Sequence, residues 1–165
     1  MSKTLVILGA GEYGRTIFDI AEQLGFEIVM LDDKIVNYPL SSFVKYVNTN
    51  TEFIPAFGSN KLRMEWINRI EENGGKIAVL IHPTAYISPK ASVEAGTVVL
   101  PGAIINTGTI ISRGCIINLG VVIDHDCIIE EGVHVCDGAI IKGNNRITRC
   151  EKIEAGVIIE RNARK

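Results

Sequence analysis

From Ile81 to Ile159 every sixth residue is isoleucine or valine: Ile81, Ile87, Val93, Val99, Ile105, Ile111, Ile117, Ile123, Ile129, Val135, Ile141, Ile147, Ile153 and Ile159. Isoleucine and valine fill only 25 of residues 81–165, so this unbroken series does not follow from composition. A sustained six-residue period belongs to the parallel β-helix, in which each hexapeptide forms one side of a triangular coil. Three residues after the repeat position stands glycine at Gly96, Gly102, Gly108, Gly114, Gly120, Gly132, Gly138 and Gly156, and Asp126, Asn144 or Asn162 in three other repeats. These residue types tolerate a positive φ, which a sharp corner demands. One residue further on, small side chains dominate (Ala85, Ala91, Thr97, Ala103, Thr109, Cys115, Cys127, Ala139, Ala163), as the inside of a narrow prism requires. Three sides close a coil of eighteen residues, so residues i and i+18 stack about 4.8 Å apart. The segment holds between four and five coils. Aliphatic residues precede many repeat positions (Ile104, Ile110, Ile116, Val122, Ile128, Ile140) and are expected on the outside, where association between subunits would bury them.

The first half of the chain is built differently. All ten aromatic residues lie at or before Tyr86. Residues 4–8 are an apolar, β-rich run followed by Gly9-Ala10-Gly11-Glu12-Tyr13-Gly14, and then by Ile17, Ile20, Ala21 and Leu24 at helical spacing. Further strands are expected at 26–31, 52–57 and 76–81 and a helix at 60–72, while residues 34–51 show no clear period. The alternation predicts a small parallel α/β domain. The predicted architecture is therefore α/β plus β: a Rossmann-like domain over residues 1–81, followed by a hexapeptide-repeat β-helix over 82–165.

A net charge of -2 and 22% charged residues exclude a disordered tail and give no reason to expect nucleic-acid binding. No stretch approaches a membrane span and the N-terminal apolar run is too short for a signal segment, so a cytoplasmic protein is expected. Cys115, Cys127, Cys136 and Cys150 form no CxxC pair and read as reduced, packed thiols. His82, His125 and His134 fall at different places on the eighteen-residue coil, with His82 about 14 Å below His134, so no zinc site and no metal is expected. The glycine turn follows a strand and opens a helix, a context that receives phosphate on backbone N–H groups; a merely tight turn is the other reading. A domain of this size lacks the second half that a nicotinamide dinucleotide needs, which favours a mononucleotide or nucleotide sugar.

The segment Asn118-Leu119-Gly120-Val121-Val122-Ile123-Asp124-His125-Asp126-Cys127, with His134 downstream, resembles the active-site stretch of the sialic acid O-acetyltransferase and nucleotide 4-aminosugar N-acetyltransferase family. Gly9-Ala10-Gly11, Leu31-Asp32-Asp33, Phe57-Gly58-Ser59-Asn60 with Arg63, and Ile81-His82-Pro83-Thr84-Ala85 follow in the same order as in that family. The resemblance implies a left-handed β-helix, a homotrimer whose donor site lies between adjacent prisms, and acetyl-CoA as co-substrate. It further implies an N-acetyltransferase acting on a nucleotide-linked aminosugar in bacterial surface glycan synthesis. Tyr13 departs from the pattern, since a histidine is usual there. The run from Gly143 to Cys150 is more polar than an ordinary hexapeptide, and the β-helix is C-terminally short.

On this resemblance His125 is the general base and Asp126 its orienting partner, with Asp124 as the other carboxylate able to fill that role. Imidazole titrates near neutrality and suits proton removal from an attacking amine or hydroxyl. Gly9, Gly11, Tyr13, Asp32, Asp33, Gly58, Asn60 and Asn118 are the expected substrate-binding residues, and His134 and Gly143 the expected donor-side residues. Residues 142–165 carry +4 and the remainder -6. That basic end fits either the phosphates of coenzyme A or a charged cap against end-to-end stacking. Two alternatives stand beside this reading: a sialic acid O-acetyltransferase, and a truncated, non-catalytic nucleotide-sugar-binding relative.

Overall fold

The computed structural model describes residues 2–165, which divide into two compact units, one ending at Ala78 and the other running from Val79 to Lys165. In the first, β1 (Thr4–Leu8), β2 (Glu27–Leu31), β3 (Thr51–Pro55) and β4 (Lys76–Ile77) form a parallel sheet in the order β2-β1-β3-β4. Leu5, Val6, Ile7 and Leu8 are all fully buried, so the central strand reads as a continuous apolar run rather than an alternation. Helix α1 (Glu12–Gln23) buries Gly14, Ile17, Ile20 and Ala21 along one stripe. Gly14 is required there, because a Cβ would stand 2.1 Å from the carbonyl oxygen of Gly9. Helix α2 (Asn60–Glu72) begins at Ser59, whose Oγ accepts from the Leu62 N–H at 3.4 Å.

Residues 34–51, without a period in the sequence, contain a 3₁₀ helix at Leu40–Tyr46. Its Phe43 is buried edge-on against Phe53 and Trp66, with ring centroids 6.2 and 5.9 Å apart. Tertiary packing of one aromatic ring holds this segment, which local propensity does not mark. The strand expected at 76–81 is divided in two. Lys76–Ile77 pairs with β3, whereas Leu80–Ile81 pairs with Val98–Val99 and opens the β-helix.

The second unit is a prism of fourteen two-residue strands on three parallel faces. Partners are eighteen residues apart, as in Ile110 to Ile128 to Arg146. From Val99 to Ile147 every repeat residue is fully buried, and Ile153 and Ile159 are nearly so. The eleven predicted corners all have positive φ, and Cys150 adds one that its residue type does not announce, at 56°. At the inward positions after the corners, polar side chains close the backbone. Thr109 Oγ1 donates to the Asp124 carbonyl at 2.6 Å and accepts from the Cys127 N–H at 3.1 Å. Thr97 does the same between Ser112 and Cys115. All four cysteines are free thiols. On the outside, Ile104 and Ile110 are exposed as expected, and Val122, Ile128 and Ile140 are partly so. Ile116 differs and is buried, stacked between Val98 and His134.

Candidate active site

In the α/β unit the glycine turn is held from one side. The Gly9 N–H donates to the Leu31 carbonyl at 2.7 Å, and the Ala10 N–H to Asp32 Oδ2 at 2.8 Å. The other oxygen, Asp32 Oδ1, accepts from the Lys34 N–H at 2.9 Å. These two backbone donors, Ala10 first, hold the Asp32 carboxyl below its usual range. Gly9 itself has a φ of 109°, where a Cβ would meet the Ala56 carbonyl oxygen at 3.0 Å.

Beside this turn lies an open cleft of about 430 Å³, which Gly9, Gly11, Tyr13, Asp32 and Gly58 help to line. The first turn of α1 has no side-chain cap at Gly11, so its N–H groups are open to an anion. The Tyr13 hydroxyl is buried without a hydrogen-bond partner, and burial pushes its pKa up against the pull of the Arg63 charge. Arg63 was not singled out as a site residue by sequence reasoning, although it is almost completely buried. It donates to the Phe57 carbonyl and to Asn60 Oδ1, both at 2.9 Å, and so shapes the loop that carries Gly58. Asp33 and Asn60 do not line the cleft. Asp33 Oδ1 accepts from the Leu40 N–H at 2.9 Å and fastens the following loop.

A stability consequence follows from Asp32. Its folded pKa is below the unfolded value of 3.8, so its contribution is complete above that pH and is lost as pH falls through the folded value. Asp32→Asn is expected to cost about 1 kcal/mol near neutrality, with the gap narrowing as pH falls below 3.8 and through the lower folded value. Urea midpoints of both proteins, followed from neutrality into the acid range below 3.8, check this, and a gap that stays constant over that range would be the contrary result.

In the β-helix unit, His125 stands at the corner after the Val122–Ile123 strand, with its side chain 31% exposed. Its Nδ1 lies 2.8 Å from Asp126 Oδ2. With Nδ1–H donating to that carboxylate, Nε2 is left as the proton acceptor. Asp124 Oδ2 flanks Nε2 at 3.8 Å. The Asp124 carboxyl is held below its usual range first by the His125 backbone N–H and then by Asn106 Nδ2 at 3.0 Å. Gly143 lies one coil on, directly against the imidazole. Asn106 has no motif to mark it in the sequence; its only signal is its position eighteen residues before Asp124.

Asn118 and His134 do not join this group within one chain. His134 belongs to the face with Val98, Ile116 and Lys152, and Asn118 follows the Ile116–Ile117 strand of that same face. The His125 corner joins the other two faces, so it stands opposite them in the triangle. Among the described residues no group of three or more His, Cys, Asp or Glu is placed to hold a metal ion. No helix among them is long and apolar enough to cross a membrane.

Residues 4–70 match the family model of the PglD N-terminal domain. The acetyltransferase domain of PglB from Neisseria gonorrhoeae FA1090, solved in complex with acetyl coenzyme A, is 30% identical to this chain. The match covers 98% of this chain and 83% of that one, with a TM-score of 0.90. PerB from Caulobacter crescentus, in complex with CoA and GDP-perosamine, shares the fold at 23% identity, over 96% of this chain and 89% of that one, with a TM-score of 0.79. WeeI from Acinetobacter baumannii shares it at 16% identity, over 95% and 96%, with a TM-score of 0.70. A glycine-turn α/β unit followed by a left-handed β-helix, at 30% identity to an acetyltransferase domain along nearly the whole chain, makes this protein a member of the sialic acid O-acetyltransferase and nucleotide 4-aminosugar N-acetyltransferase family of hexapeptide acyltransferases.

Proposed function

We propose that the protein transfers the acetyl group of acetyl-CoA to the amine of a nucleotide-linked aminosugar, with His125 as general base, in bacterial surface glycan synthesis. The observation that carries this reading is the His125 ring, one-third exposed, with Nδ1 held by Asp126 at 2.8 Å and Nε2 3.8 Å from Asp124. The amine nitrogen attacks the thioester carbonyl while Nε2 takes its proton. Collapse of the tetrahedral species breaks the carbon–sulfur bond, and the imidazolium returns the proton to the departing thiolate. An acetamide and free CoA result, without a covalent enzyme intermediate. Asp126 keeps the tautomer and offsets the imidazolium charge as it forms.

The nucleotide portion is assigned to the cleft at Gly9, Gly11, Tyr13, Asp32 and Gly58. Its uncapped helix terminus suits phosphate, and the buried Tyr13 hydroxyl suits a polar ligand atom. The acetyl-CoA complex of PglB and the CoA and GDP-perosamine complex of PerB support the same pair of substrates here. Acetyl-CoA as donor implies action in the cytoplasm. Free-thiol release measured across a panel of nucleotide aminosugars and their hydroxyl counterparts tests the reading. Turnover confined to amine acceptors is expected, and turnover confined to hydroxyl acceptors would replace it with O-acetylation.

The working unit in this proposal is a homotrimer. His134 serves the donor side, and Asn118 the sugar substrate, only if a neighbouring prism brings them to the His125 corner, and Ile104 and Ile110 leave an aliphatic surface for such contact. Light scattering is expected to give three subunits at micromolar concentration, and Ile104→Asp with Ile110→Asp to shift the mass toward one. A monomer retaining full turnover would remove the shared-site argument.

A further inference from the structure

We infer that Gly143 and Gly108 are positioning residues that hold the His125–Asp126 pair in its working geometry, one from each neighbouring coil. The inference rests on the reading of His125 as base. In the eighteen-residue register Gly143 lies over His125 and Gly108 lies beneath Asp126.

A Cβ at residue 143 would stand 2.7 Å from His125 Nε2, 2.8 Å from Cε1 and 3.1 Å from Cδ2. Real Cβ atoms do not approach that closely, so the ring or the backbone would have to move. Gly143 has no positive φ, so its backbone does not call for glycine; the left-handed corner is the next residue, Asn144, at 60°. The three atoms nearest the missing side chain all belong to the imidazole.

Backbone retreat is blocked by bonds on both sides of Gly143. The Asp124 N–H donates to the Ile141 carbonyl at 2.9 Å, and the Asn144 N–H to the His125 carbonyl at 3.1 Å. The buried Asn145 side chain then ties this coil to the next. Its Nδ2 donates to the carbonyls of Lys142 at 2.6 Å and Glu160 at 2.9 Å, and its Oδ1 accepts from the Arg164 N–H at 2.8 Å. This accounts for the asparagine at residue 145 within the polar run. With the backbone tied, a methyl group at residue 143 tilts the ring and lengthens the 2.8 Å bond to Asp126.

At residue 108 a Cβ would lie 2.3 Å from Asp126 Oδ1. Positive φ also applies there, at 71°, yet Asp126, Asn144, Cys150 and Asn162 adopt the same conformation without glycine. The carboxylate that orients the base therefore occupies space that Gly108 leaves open. Gly138 provides the contrast, being a left-handed corner at 62° with nothing within 4 Å of its Cβ position.

The decisive variant is Gly143→Ala, which keeps the backbone N–H, measured beside Gly138→Ala, His125→Ala and the Gly143→Ala/His125→Ala double variant in the full-length protein. Gly143→Ala is expected to lower kcat roughly 10- to 100-fold, within the usual contribution of general-base catalysis, with little change in either KM. Gly108→Ala should fall in the same direction, and Gly138→Ala should keep wild-type turnover. The double variant should be no slower than His125→Ala, because the two residues act through one ring. Long-range nitrogen NMR of the imidazole should show Nδ1 protonated in the wild type and this signature lost in Gly143→Ala. Wild-type kcat in Gly143→Ala, a rise confined to the acetyl-CoA KM, or losses that multiply in the double variant would each overturn the inference. If His125→Ala itself turned over normally, the base assignment would fall, and the NMR signature would still decide whether Gly143 holds the ring.

Discussion

Replacing His125 with alanine is expected to lower kcat for acetyl transfer by about 10²- to 10⁴-fold, the usual span for a positioned general base. The fold should be unaffected, because the side chain is at a corner and 31% exposed while the buried repeat residue Ile123 stays in place. Steady-state kinetics with acetyl-CoA and the best nucleotide aminosugar would show the loss in kcat rather than in KM, since the ring meets the amine proton only as the bond forms. Asp126→Asn should give part of the same loss: an amide at that place can present a donor to Nδ1 and favour the tautomer with its proton on Nε2. Normal turnover in His125→Ala would remove the mechanism.

The second large effect concerns stability. Ile129 lies wholly inside the prism, in the column formed with Val93, Ile111 and Ile147, and has no exposed surface. Truncation to alanine removes three carbons from a space bounded by stacked backbone that cannot collapse, and is expected to cost about 2–5 kcal/mol. Ile158→Ala, at a strand position 54% exposed, should cost well under 1 kcal/mol unless assembly covers it. Urea unfolding followed by circular dichroism at one fixed protein concentration separates the two, because association would otherwise shift both midpoints. Equal midpoints for the two variants would contradict the placement of Ile129 in the core.

The β-helix was legible in the sequence because its contacts repeat. One spacing of six sets the inward residue, the left-handed corner and the small residue after it, and the same spacing recurs in every coil, so each repeat checks the others. Thr109 and Cys127 fit this pattern as small residues, and their hydrogen bonds across the coils follow from that register. The strand, turn and helix from Thr4 to Gln23 were legible for a similar reason: the positive φ of Gly9 and the contact of Gly14 with the Gly9 carbonyl are local and leave their mark on residue type.

What lay beyond the sequence depended on partners far away in the chain or on the direction of a single side chain. Residues 34–51 carry no period because Phe43 is held by Phe53 and Trp66 rather than by its own neighbours. The run at 76–81 reads as one strand, yet Lys76–Ile77 and Leu80–Ile81 find their hydrogen bonds in different sheets. Asp32 and Asp33 are equivalent on paper, and only the folded turn gives one to Ala10 and the other to Leu40. Asp124 and Asp126 likewise flank His125 symmetrically in sequence, but Asn106 engages the first while the second takes Nδ1, in the space that Gly108 leaves open. Periodicity by itself determined the prism, its corners and the corner on which His125 stands, since those follow from backbone geometry repeated every six residues. Which carboxylate holds the ring, and why residue 143 has no side chain, was decided by the tertiary structure, because rotamers answer to the atoms of the adjacent coils and not to the order of residues along one of them.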